Sequence, residues 1–454
     1  MRRSLLLCVF VLLFAGASAP QNDRPTAITD VTLIDGSGAP AARHVTLIIA
    51  HGRIRAIGDA STLPIPRGAR VIEGRDRFLI PGLFDAHVHL SKLGPSALEI
   101  FIANGVTSVR DMGSDIDEVN RWRDEIEAGK RIGPRIKTSG PMLESPAKVK
   151  ELLEEHTVER VAALRRAVGT PDEAMKVVAL LKQQWADYIK VRTFASRETY
   201  FAIAEAARNA GLPLVGHAYE LSPEDILRSG QRSIEHFIGP AFLQEDQAAR
   251  REQFRKLAAA GVVTVPTLVV GRDSVFVPVW RADAIVKDPT GTIDPHRKYV
   301  SESLLRDWKE QVDERRQPGG PDWESLVRVI YRNEREMHQE GIRVLAGTDT
   351  AVALVYPGFS LHDELEQLVD VLGFTPMESL LSATEYPAEF LGLRDRVGTI
   401  AVGKDADLVL LDANPLESIS NTRRIAAVCT RGRCYDRTAL DRLLAHAELE
   451  VKRR

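Results

Sequence analysis

The sequence predicts an α/β protein with two parts, a (β/α)8 TIM-like barrel and a small β-sandwich domain formed from both chain ends. Short apolar runs alternate with helical stretches through the middle of the chain, and this alternation favours a parallel barrel. Both ends instead have the pattern of short strands separated by Gly and Asp turns. The chain of 454 residues has room for both parts, because a barrel of this type takes roughly 250 residues.

Eight apolar runs are the candidate barrel strands. Helical stretches separate them, and several of these stretches end at a glycine, the residue that most readily adopts the left-handed conformation at a helix end. The runs are, in chain order, LFDAHVH, VTSVRDM, RIKTSGP, DYIKVRTF, LPLVGHA, RSIEHF, VVTVPTLV and IRVLAGTD. The helical stretches include residues 116–128, 171–186, 197–209 and 322–340.

The chain divides into five predicted segments. Two long insertions, residues 142–170 and 271–320, follow the third and the seventh strand. We expect both to leave the mouth of the barrel, where loops build substrate pockets. The segments are residues 1–19 as a signal peptide, 26–80 and 391–437 as the two parts of the β-sandwich, 81–390 as the barrel, and 438–454 as a C-terminal helix or tail.

The first residues have the three parts of a secretory signal peptide. Arg2 and Arg3 come first, an apolar segment follows over residues 5–14, and small residues come next. This segment is too short to span a bilayer, so the sequence predicts export by the general secretory route and a secreted or periplasmic protein. Cleavage is expected after Ala17 or Ala19. A retained anchor and twin-arginine export remain the alternatives.

The composition excludes some classes of partner. Apolar residues make up 44% of the chain, and charged residues make up 27% with a formal net charge of -3. No block of one charge sign is present, which argues against nucleic acid, or a membrane after signal removal, as the main partner. We expect a small-molecule or short-peptide substrate. The sequence leaves the oligomeric state open, and a homo-oligomer is one of the options.

Two cysteines remain once the predicted signal peptide is removed, Cys429 and Cys434 in AVCTRGRCYD. This stretch has the pattern of two short strands that turn at Arg431 and Gly432. Such a turn brings the cysteines opposite each other, at a separation compatible with a disulfide in an oxidising compartment. Two free thiols in a hairpin are the alternative.

Two histidines lie one residue apart at the end of the first barrel strand, in FLIPGLFDAHVHL. On a strand, residues i and i+2 point to the same face, so the side chains of His87 and His89 converge. Four further polar residues lie toward the ends of other strands, where a barrel collects its active site. Singly, each has an ordinary explanation as a core residue or a helix cap; jointly, they indicate a metal centre. The six candidate metal ligands are His87, His89, Lys190, His217, His236 and Asp349.

Lys190 is the most informative of the six, because it lies between Ile189 and Val191 in a predicted buried strand. A buried lysine must lose its charge or find a partner. A salt bridge to an acid is one solution. Carbon dioxide offers another, since it converts the ammonium into a carbamate, an anionic ligand that is able to bridge two divalent cations.

A set of motifs spread over nearly the whole mature chain carries a family resemblance. The motifs are PGLFDAHVHL, YIKV, GHA, IEHF, AGTDT, SLHDELEQLV, SATEYPAEFLGL and GTIAVGKDADLVLLDANPL. With them the chain resembles the metal-dependent amidohydrolase superfamily, and specifically its imidazolonepropionase-like and prolidase-like branch with a carboxylated lysine.

The resemblance implies a cofactor of two divalent metal ions, with zinc as the usual metal. The ligands of one ion would be His87, His89 and Asp349. The ligands of the other would be His217 and His236. Carboxylated Lys190 would bridge both ions.

The activity that the resemblance implies is metal-assisted hydrolysis of an amide bond, in a dipeptide of the Xaa-Pro type or an N-acyl amino acid. Asp349 would be the catalytic residue that takes a proton from the attacking water and passes it to the leaving amine. Alternatives are a cyclic amide or lactone hydrolase and a mononuclear deaminase, although Lys190 argues against the deaminase. A non-catalytic binding protein on the same scaffold is a further alternative.

Arg192 and Tyr219 are the candidate substrate contacts. Each lies two residues beyond a candidate ligand, on the same strand face, so both are expected to point into the mouth of the barrel. There they would bind a substrate carboxylate, for which an arginine offers bidentate geometry. An exposed arginine and a packed tyrosine are the alternative explanation.

One departure from the family pattern concerns specificity. Related prolidase-like members often carry a Gly-Gly-His segment after the third strand, whereas this chain has SGPMLESPAKVKELLEEH, which weakens any transfer of dipeptide specificity. His362 belongs to the family pattern, but Leu361, Leu365 and Leu368 surround it at helical spacing, so we expect it to be structural.

Overall fold

The computed structural model describes residues 24–239, 246–316 and 322–453. The predicted signal peptide, residues 1–19, lies outside these ranges. The described chain is a mixed α/β structure in which three sheets are accompanied by helices. No helix in the described ranges is both long enough and apolar enough to cross a membrane.

Eighteen strands occur in the described residues. They are β1 (Thr26–Leu33), β2 (Ala42–Ala50), β3 (Arg53–Asp59), β4 (Arg70–Glu73), β5 (Phe78–Pro81), β6 (Leu83–Val88), β7 (Val106–Asp111), β8 (Arg135–Thr138), β9 (Met142–Glu144), β10 (Arg165–Ala167), β11 (Ile189–Val191), β12 (Leu214–Ala218), β13 (Ser233–Ile238), β14 (Val263–Val265), β15 (Arg343–Val344), β16 (Leu408–Leu411), β17 (Ile425–Thr430) and β18 (Arg433–Asp436).

Seventeen α-helices occur in the same part of the chain. They are α1 (Leu90–Leu93), α2 (Ser96–Ala103), α3 (Ile116–Glu127), α4 (Pro146–Glu155), α5 (Val158–Leu164), α6 (Pro171–Gln183), α7 (Arg197–Ala210), α8 (Pro223–Ser229), α9 (Gln247–Ala259), α10 (Leu268–Val270), α11 (Val279–Lys287), α12 (Glu302–Glu314), α13 (Trp323–Gln339), α14 (Phe359–Leu372), α15 (Pro376–Ser382), α16 (Glu385–Phe390) and α17 (Arg437–Lys452).

Both ends of the chain contribute to one eight-stranded sheet. Its strand order is β18-β17-β16-β5-β1-β2-β3, with β4 paired to β1. The ends meet where β16 runs antiparallel to β5, with Leu410 opposite Leu79. Ile28, Leu47 and Leu408 are buried in a common apolar core. Burial of these side chains therefore holds the first and last segments together.

Two parallel sheets carry the middle of the chain. One has the order β6-β7-β8 and the other β10-β9-β11-β12-β13-β14-β15. Each of the eight runs that the sequence analysis proposed as barrel strands contains one of these strands. The segment 142–170, expected to be an insertion, also supplies the short strands β9 and β10, and β9 pairs with β11 through Leu143 and Val191.

Backbone hydrogen bonds join the two parallel sheets. Beside β6, the amide of Ala86 donates to the carbonyl of Ala346 at 2.9 Å, and the amide of Asp349 donates to the carbonyl of His87 at 2.8 Å. Beside β8, the amide of Asp187 donates to the carbonyl of Thr138 at 2.8 Å. The first and the last of the predicted runs are therefore neighbours in space.

Local sequence explains where the helices between these strands begin and end. At α6, the Thr170 hydroxyl accepts from the amide of Glu173, whose carboxylate accepts from the Thr170 amide, and Pro171 occupies the first turn. Such a cap stabilises a helix by about 1 kcal/mol. α7 ends at Gly211, whose φ of 67° is left-handed and suits glycine. The strand β12 begins three residues later.

The hairpin of β17 and β18 turns at Arg431 and Gly432, which have φ angles of 50° and 77°. These positive angles match the twist of a two-residue hairpin. The turn brings Cys429 opposite Cys434 in the ladder, and the structure joins them by a disulfide bond.

Candidate active site

One cavity brings together all six residues that the sequence analysis singled out as metal ligands. His87 lies in β6 and His89 follows it at the start of α1. The others come from β11, β12 and β13 and from the segment after β15. The residues that line the cavity include His87, His89, Lys190, His217, His236 and Asp349.

Three of these side chains form a compact ligand group. Ligand atoms of His87, His89 and Asp349 lie within 4.8 Å of one another. Nε2 of His89 is 3.0 Å from Oδ1 of Asp349, and Nε2 of His87 is 3.5 Å from the same oxygen. Two imidazoles and a carboxylate in this arrangement suit a divalent transition metal such as zinc.

His236 approaches the same carboxylate, and His217 lies next to His236. Their ring centroids are 5.0 Å apart, and Nε2 of His236 lies 3.8 Å from Oδ2 of Asp349. The buried Nδ1 of His217 has no hydrogen-bond partner. Among the described residues, no third His, Cys, Asp or Glu completes a compact group with this pair, so a second metal here requires another kind of ligand.

Lys190 has the properties expected of that ligand. Its side chain is 1% exposed, and its Nζ has no hydrogen-bond partner among the described residues. The salt bridge considered as the alternative is therefore not formed. Burial lowers the pKa of Lys190 to about 8, which makes the neutral amine accessible near physiological pH. Because carbon dioxide reacts with a neutral amine, the residue fits a carbamate bridge.

The buried residue Glu235 orients His87. Its Oε2 lies 2.9 Å from Nδ1 of His87, and its Oε1 pairs with the guanidinium of Arg110 and accepts from the Ser233 hydroxyl. Burial raises the pKa of Glu235, but Arg110 and His87 together hold it well below its ordinary value. The carboxylate therefore keeps the proton of His87 on Nδ1 and directs the lone pair of Nε2 toward Asp349.

Glu235 and Arg110 were not among the residues predicted from the sequence. Both lie in the middle of apolar strands, at 0% exposure. A charged residue of opposite sign inside each of two buried runs, VTSVRDM and RSIEHF, is a pattern that would have indicated a buried ion pair.

The protonation states favour ligand binding. Burial lowers the pKa of His87 to about 3 and that of His236 to about 4, so these imidazoles are neutral and keep a free lone pair. Burial alone would raise the pKa of Asp349, but the facing rings of His236, His87 and His89 hold it below its ordinary value. The site therefore presents neutral nitrogens around an ionised carboxylate.

Two residues of the site have strained backbones. His236 and Asp349 have φ angles of 67° and 56°, a backbone conformation that residues other than glycine rarely adopt. Strain of this kind costs about 1–3 kcal/mol and concentrates at functional sites. His236 is held by Thr267, whose hydroxyl lies 2.9 Å from its Nδ1. Gly347 is needed beside them, because a Cβ there would lie 2.9 Å from the His87 amide nitrogen.

Arg192 and Tyr219 both reach the cavity. The Arg192 guanidinium lies 3.1 Å from Oε1 of Glu144, a buried acid that the sequence analysis did not connect with it. The Tyr219 ring stacks on Phe237 with centroids 4.4 Å apart, and its centroid is 4.5 Å from that of His217. The two side chains therefore line the space next to the candidate ligands.

His362 lies outside this cavity. Its Nδ1 is 2.9 Å from the Thr422 hydroxyl and its Nε2 is 3.1 Å from the carbonyl of Asn104. The residue is 2% exposed. Both ring nitrogens are thus used in holding α14 to neighbouring segments, in agreement with the expected structural role.

Residues 78–434, most of the chain, match the sequence model of the amidohydrolase family. The chain belongs to the amidohydrolase family. The family is generally metal-dependent, which agrees with the ligand group of His87, His89 and Asp349. The chain is therefore a hydrolase.

Individual relatives of this amidohydrolase differ in activity. Ochratoxinase of Aspergillus niger is 23% identical over 442 residues, covering 85% of this chain and 81% of that protein. Adenine deaminase of Deinococcus deserti is 26% identical over 389 residues, covering 82% of this chain and 56% of that protein. A Bifidobacterium longum crystal structure assigned as a prolidase is 26% identical with a TM-score of 0.68, covering 94% of this chain and 99% of that chain.

Proposed function

We propose that this amidohydrolase uses two divalent metal ions to cleave an amide bond, in a dipeptide of the Xaa-Pro type or in an N-acyl amino acid. The observation that carries the proposal is the buried, unpartnered amine of Lys190, which lines the same cavity as both pairs of histidines. Similarity to a prolidase and to ochratoxinase supports an amide substrate.

The donor set fits two metal ions, with zinc as the expected metal. His87, His89 and Asp349 would hold one ion. His217 and His236 would hold the other. Carboxylated Lys190 would supply a ligand to both. When bound, the ions activate water and polarise the scissile carbonyl.

The protein side chains perform the remaining steps. The Asp349 carboxylate takes a proton from the attacking water and delivers it to the nitrogen of the leaving amine. Glu235 holds His87 in the orientation required of a ligand. Arg192 and Tyr219 contact the carboxylate of the substrate. Because Arg192 already pairs with Glu144, its guanidinium is fixed in position before the substrate arrives.

A mononuclear deaminase is the second candidate. The compact group of His87, His89 and Asp349 is sufficient for one ion, and adenine deaminase is among the relatives. An unmodified Lys190 would remain in such a site as a buried amine without a partner, which is costly. This cost favours the binuclear hydrolase over the deaminase. It also disfavours a cyclic amide or lactone hydrolase that uses a single ion.

The proposal extends to the architecture and the location. The two parallel sheets form one closed (β/α)8 barrel, and the eight-stranded sheet folds into the β-sandwich. The hydrogen bonds that join the sheets support closure. The protein is secreted or periplasmic after removal of residues 1–19, and the disulfide between Cys429 and Cys434 supports an oxidising compartment.

The test is a metal count by plasma mass spectrometry on mature protein, on Lys190→Ala and on the control Lys148→Ala, which removes a lysine paired with Glu151. We expect about two ions per chain in the parent and the control, and about one or none, with loss of amidase activity, in Lys190→Ala. One ion per chain in all three proteins would contradict the binuclear site and favour the deaminase.

Metal loading of the protein should also depend on pH, in a direction that the pKa of Lys190 defines. Carbamate formation needs the neutral amine, and burial lowers the pKa of Lys190 to about 8. Reconstitution of the metal-free protein with zinc and bicarbonate should therefore become more complete as the pH rises through about 8. In Lys190→Ala, bicarbonate should have no effect at any pH.

A further inference from the structure

The cavity next to the candidate metal ligands has one extended apolar wall. Its side chains come from the segment after β14 and from α13. They include Val270, Val275, Leu326, Val327 and Ile330. The volume of the cavity is about 350 Å³, which is in the range of small-molecule sites. This wall has the size and the chemistry to receive a bulky hydrocarbon or aromatic group.

Negative charge is scarce around this space. Among the described residues that line the cavity, Asp349 is the one acid, and its oxygens face His87, His89 and His236. The acyl half of a dipeptide carries a free ammonium group. Burial of that ammonium beside an apolar wall, without an acid to pair with it, is unfavourable.

Positive charge is in excess in the same cavity. Lys92, Arg165 and Arg192 line it. Oε1 of the buried Glu144 lies 3.0 Å from Nε of Arg165 and 3.1 Å from Nη1 of Arg192. One carboxylate therefore serves two guanidinium groups.

Lys92 increases this excess. No acid of the described chain forms an ion pair with it, and Asp307, which acts on it electrostatically, is paired with Arg160. Arg165 and Arg192 thus share one carboxylate, and Lys92 has no ion-pair partner among the described residues. A half-buried set of this kind is stabilised by an anion supplied from outside the protein.

Building on the proposed amide hydrolysis, we infer that the substrate is an N-acyl amino acid, not a dipeptide. Its bulky, uncharged acyl group lies on the apolar wall, and its free carboxylate binds Lys92 and Arg165 beside Arg192. Lys92 and Arg165 are then specificity-determining residues. Arg165 belongs to β10, in the insertion over residues 142–170.

The same three cations also line a second, outer cavity of about 330 Å³. This outer cavity has mixed charge, because it contains the further cations Lys148 and Arg160 and five acids. The acids are Glu151, Glu155, Asp307, Glu310 and Glu314. The excess of positive charge is therefore confined to the inner cavity beside the candidate metal ligands.

The reaction consumes one water molecule. The water oxygen bonds to the acyl carbon and the bond from that carbon to nitrogen breaks. Asp349 transfers a proton to the leaving nitrogen. The products are the free carboxylic acid, released from the apolar wall, and the free amino acid, released from the three cations.

Three matched compounds test the inference on the metal-loaded, full-length mature protein. N-hydrocinnamoyl-L-alanine has the proposed form. L-phenylalanyl-L-alanine adds only the ammonium group, and N-hydrocinnamoyl-L-alaninamide replaces only the carboxylate. We expect kcat/KM to fall at least tenfold for the dipeptide and roughly ten- to hundredfold for the carboxamide, the loss typical of one charge-assisted contact. The same series with proline in place of alanine extends the test to a second leaving group.

Variants locate the carboxylate contact. Lys92→Met and Arg165→Met should each raise KM for the acid about tenfold and change KM for the carboxamide much less, so that the preference for the acid shrinks. Lys148→Met is the matched control, because Lys148 lines only the outer cavity and should keep the parental preference. Thermal unfolding of each variant verifies that the fold is intact.

The outcomes separate the inference from the proposed function. Metal-dependent hydrolysis with equal or higher kcat/KM for the dipeptide, or with no loss for the carboxamide, would overturn the inference and leave the amidase proposal standing. An unchanged preference for the acid in both Lys92→Met and Arg165→Met would remove the carboxylate subsite. No hydrolysis of any amide by protein that carries its metals would overturn the proposed function as well.

Discussion

Glu235 shows, at the scale of single residues, how much of this site depends on side chains that never meet the substrate. The ligand candidates were recognisable because they lie toward the ends of strands, which meet at one edge of a parallel sheet. Glu235 and Arg110 were not, since what matters is their pairing across β7 and β13, and a pairing between distant segments exists only in the folded chain. The same holds for Glu144 and its two arginines.

The substitution Glu235→Gln should lower the metal affinity of the site without abolishing metal binding. An amide of the same size keeps a contact to His87 but loses the charge that fixes its tautomer, so metal affinity should fall about 10- to 100-fold. Arg110 would lose its buried partner, at a cost of about 3 kcal/mol in the free energy of unfolding. Metal competition with a chromogenic chelator and urea unfolding measure the two effects.

The matched control for this substitution is Glu334→Gln. Glu334 is also buried, on α13, but burial raises its pKa to about 8, so it is already uncharged at neutral pH. Its replacement should leave metal affinity unchanged. Equal loss of metal in both variants would mean that burial of a carboxyl, and not its contact to His87, sets the affinity.

At the scale of elements, the strands with turns on both sides were predicted from the sequence, whereas the short strands β9 and β10 were not. The runs from LFDAHVH to IRVLAGTD combine apolar residues with a following helix, and each contains a strand. β9 and β10 have three residues each, within MLE and RRA. Their strand conformation comes from pairing with β11 and with each other, which no local pattern encodes.

The β17–β18 hairpin offers a test at this scale. The disulfide closes a loop with a sequence separation of 5, and a loop of this length predicts a stabilisation of about 2 kcal/mol by restricting the unfolded chain. The double variant Cys429→Ala and Cys434→Ala should lose about that much in urea unfolding. Neither cysteine lines the cavity, so metal content and kcat should not change.

Reduced parent protein is the natural control for the hairpin. It should unfold at the same urea concentration as the double variant, because both lack the cross-link. A double variant as stable as the oxidised parent would mean that the bond forms without constraining the chain, and a loss of metal would connect the hairpin to the site.

At the scale of the whole molecule, the sheet built from both chain ends is joined to the rest of the protein by buried contacts. Arg135 of β8 extends its guanidinium to Asp405 at 2.8 Å and to Asp407 at 3.4 Å. α17, the last helix, packs on α2, and its Leu440 and Leu443 belong to the same apolar core as Leu98 and Phe101 of α2. The sequence predicted that the two ends meet, through their short strands, but not which charges join them to the middle of the chain, since those partners are about 270 residues apart.

Arg135→Gln tests whether these contacts make the molecule unfold as one unit. It removes the guanidinium that contacts two buried aspartates. Asp405 keeps Arg396 at 2.7 Å, whereas Asp407 loses its ion-pair partner, so the expected cost is about 3 kcal/mol. The control is Arg53→Gln. Arg53 contacts the same Asp405 from a half-exposed position at 3.7 Å, so its loss should cost under about 1 kcal/mol.

If the contacts couple the two parts, tryptophan fluorescence and far-ultraviolet circular dichroism will report one coincident urea transition in the parent. In Arg135→Gln this transition will move to a lower urea concentration. Two separated transitions in the parent, or equal losses in both variants, would show that the end-built sheet and the rest of the chain unfold independently.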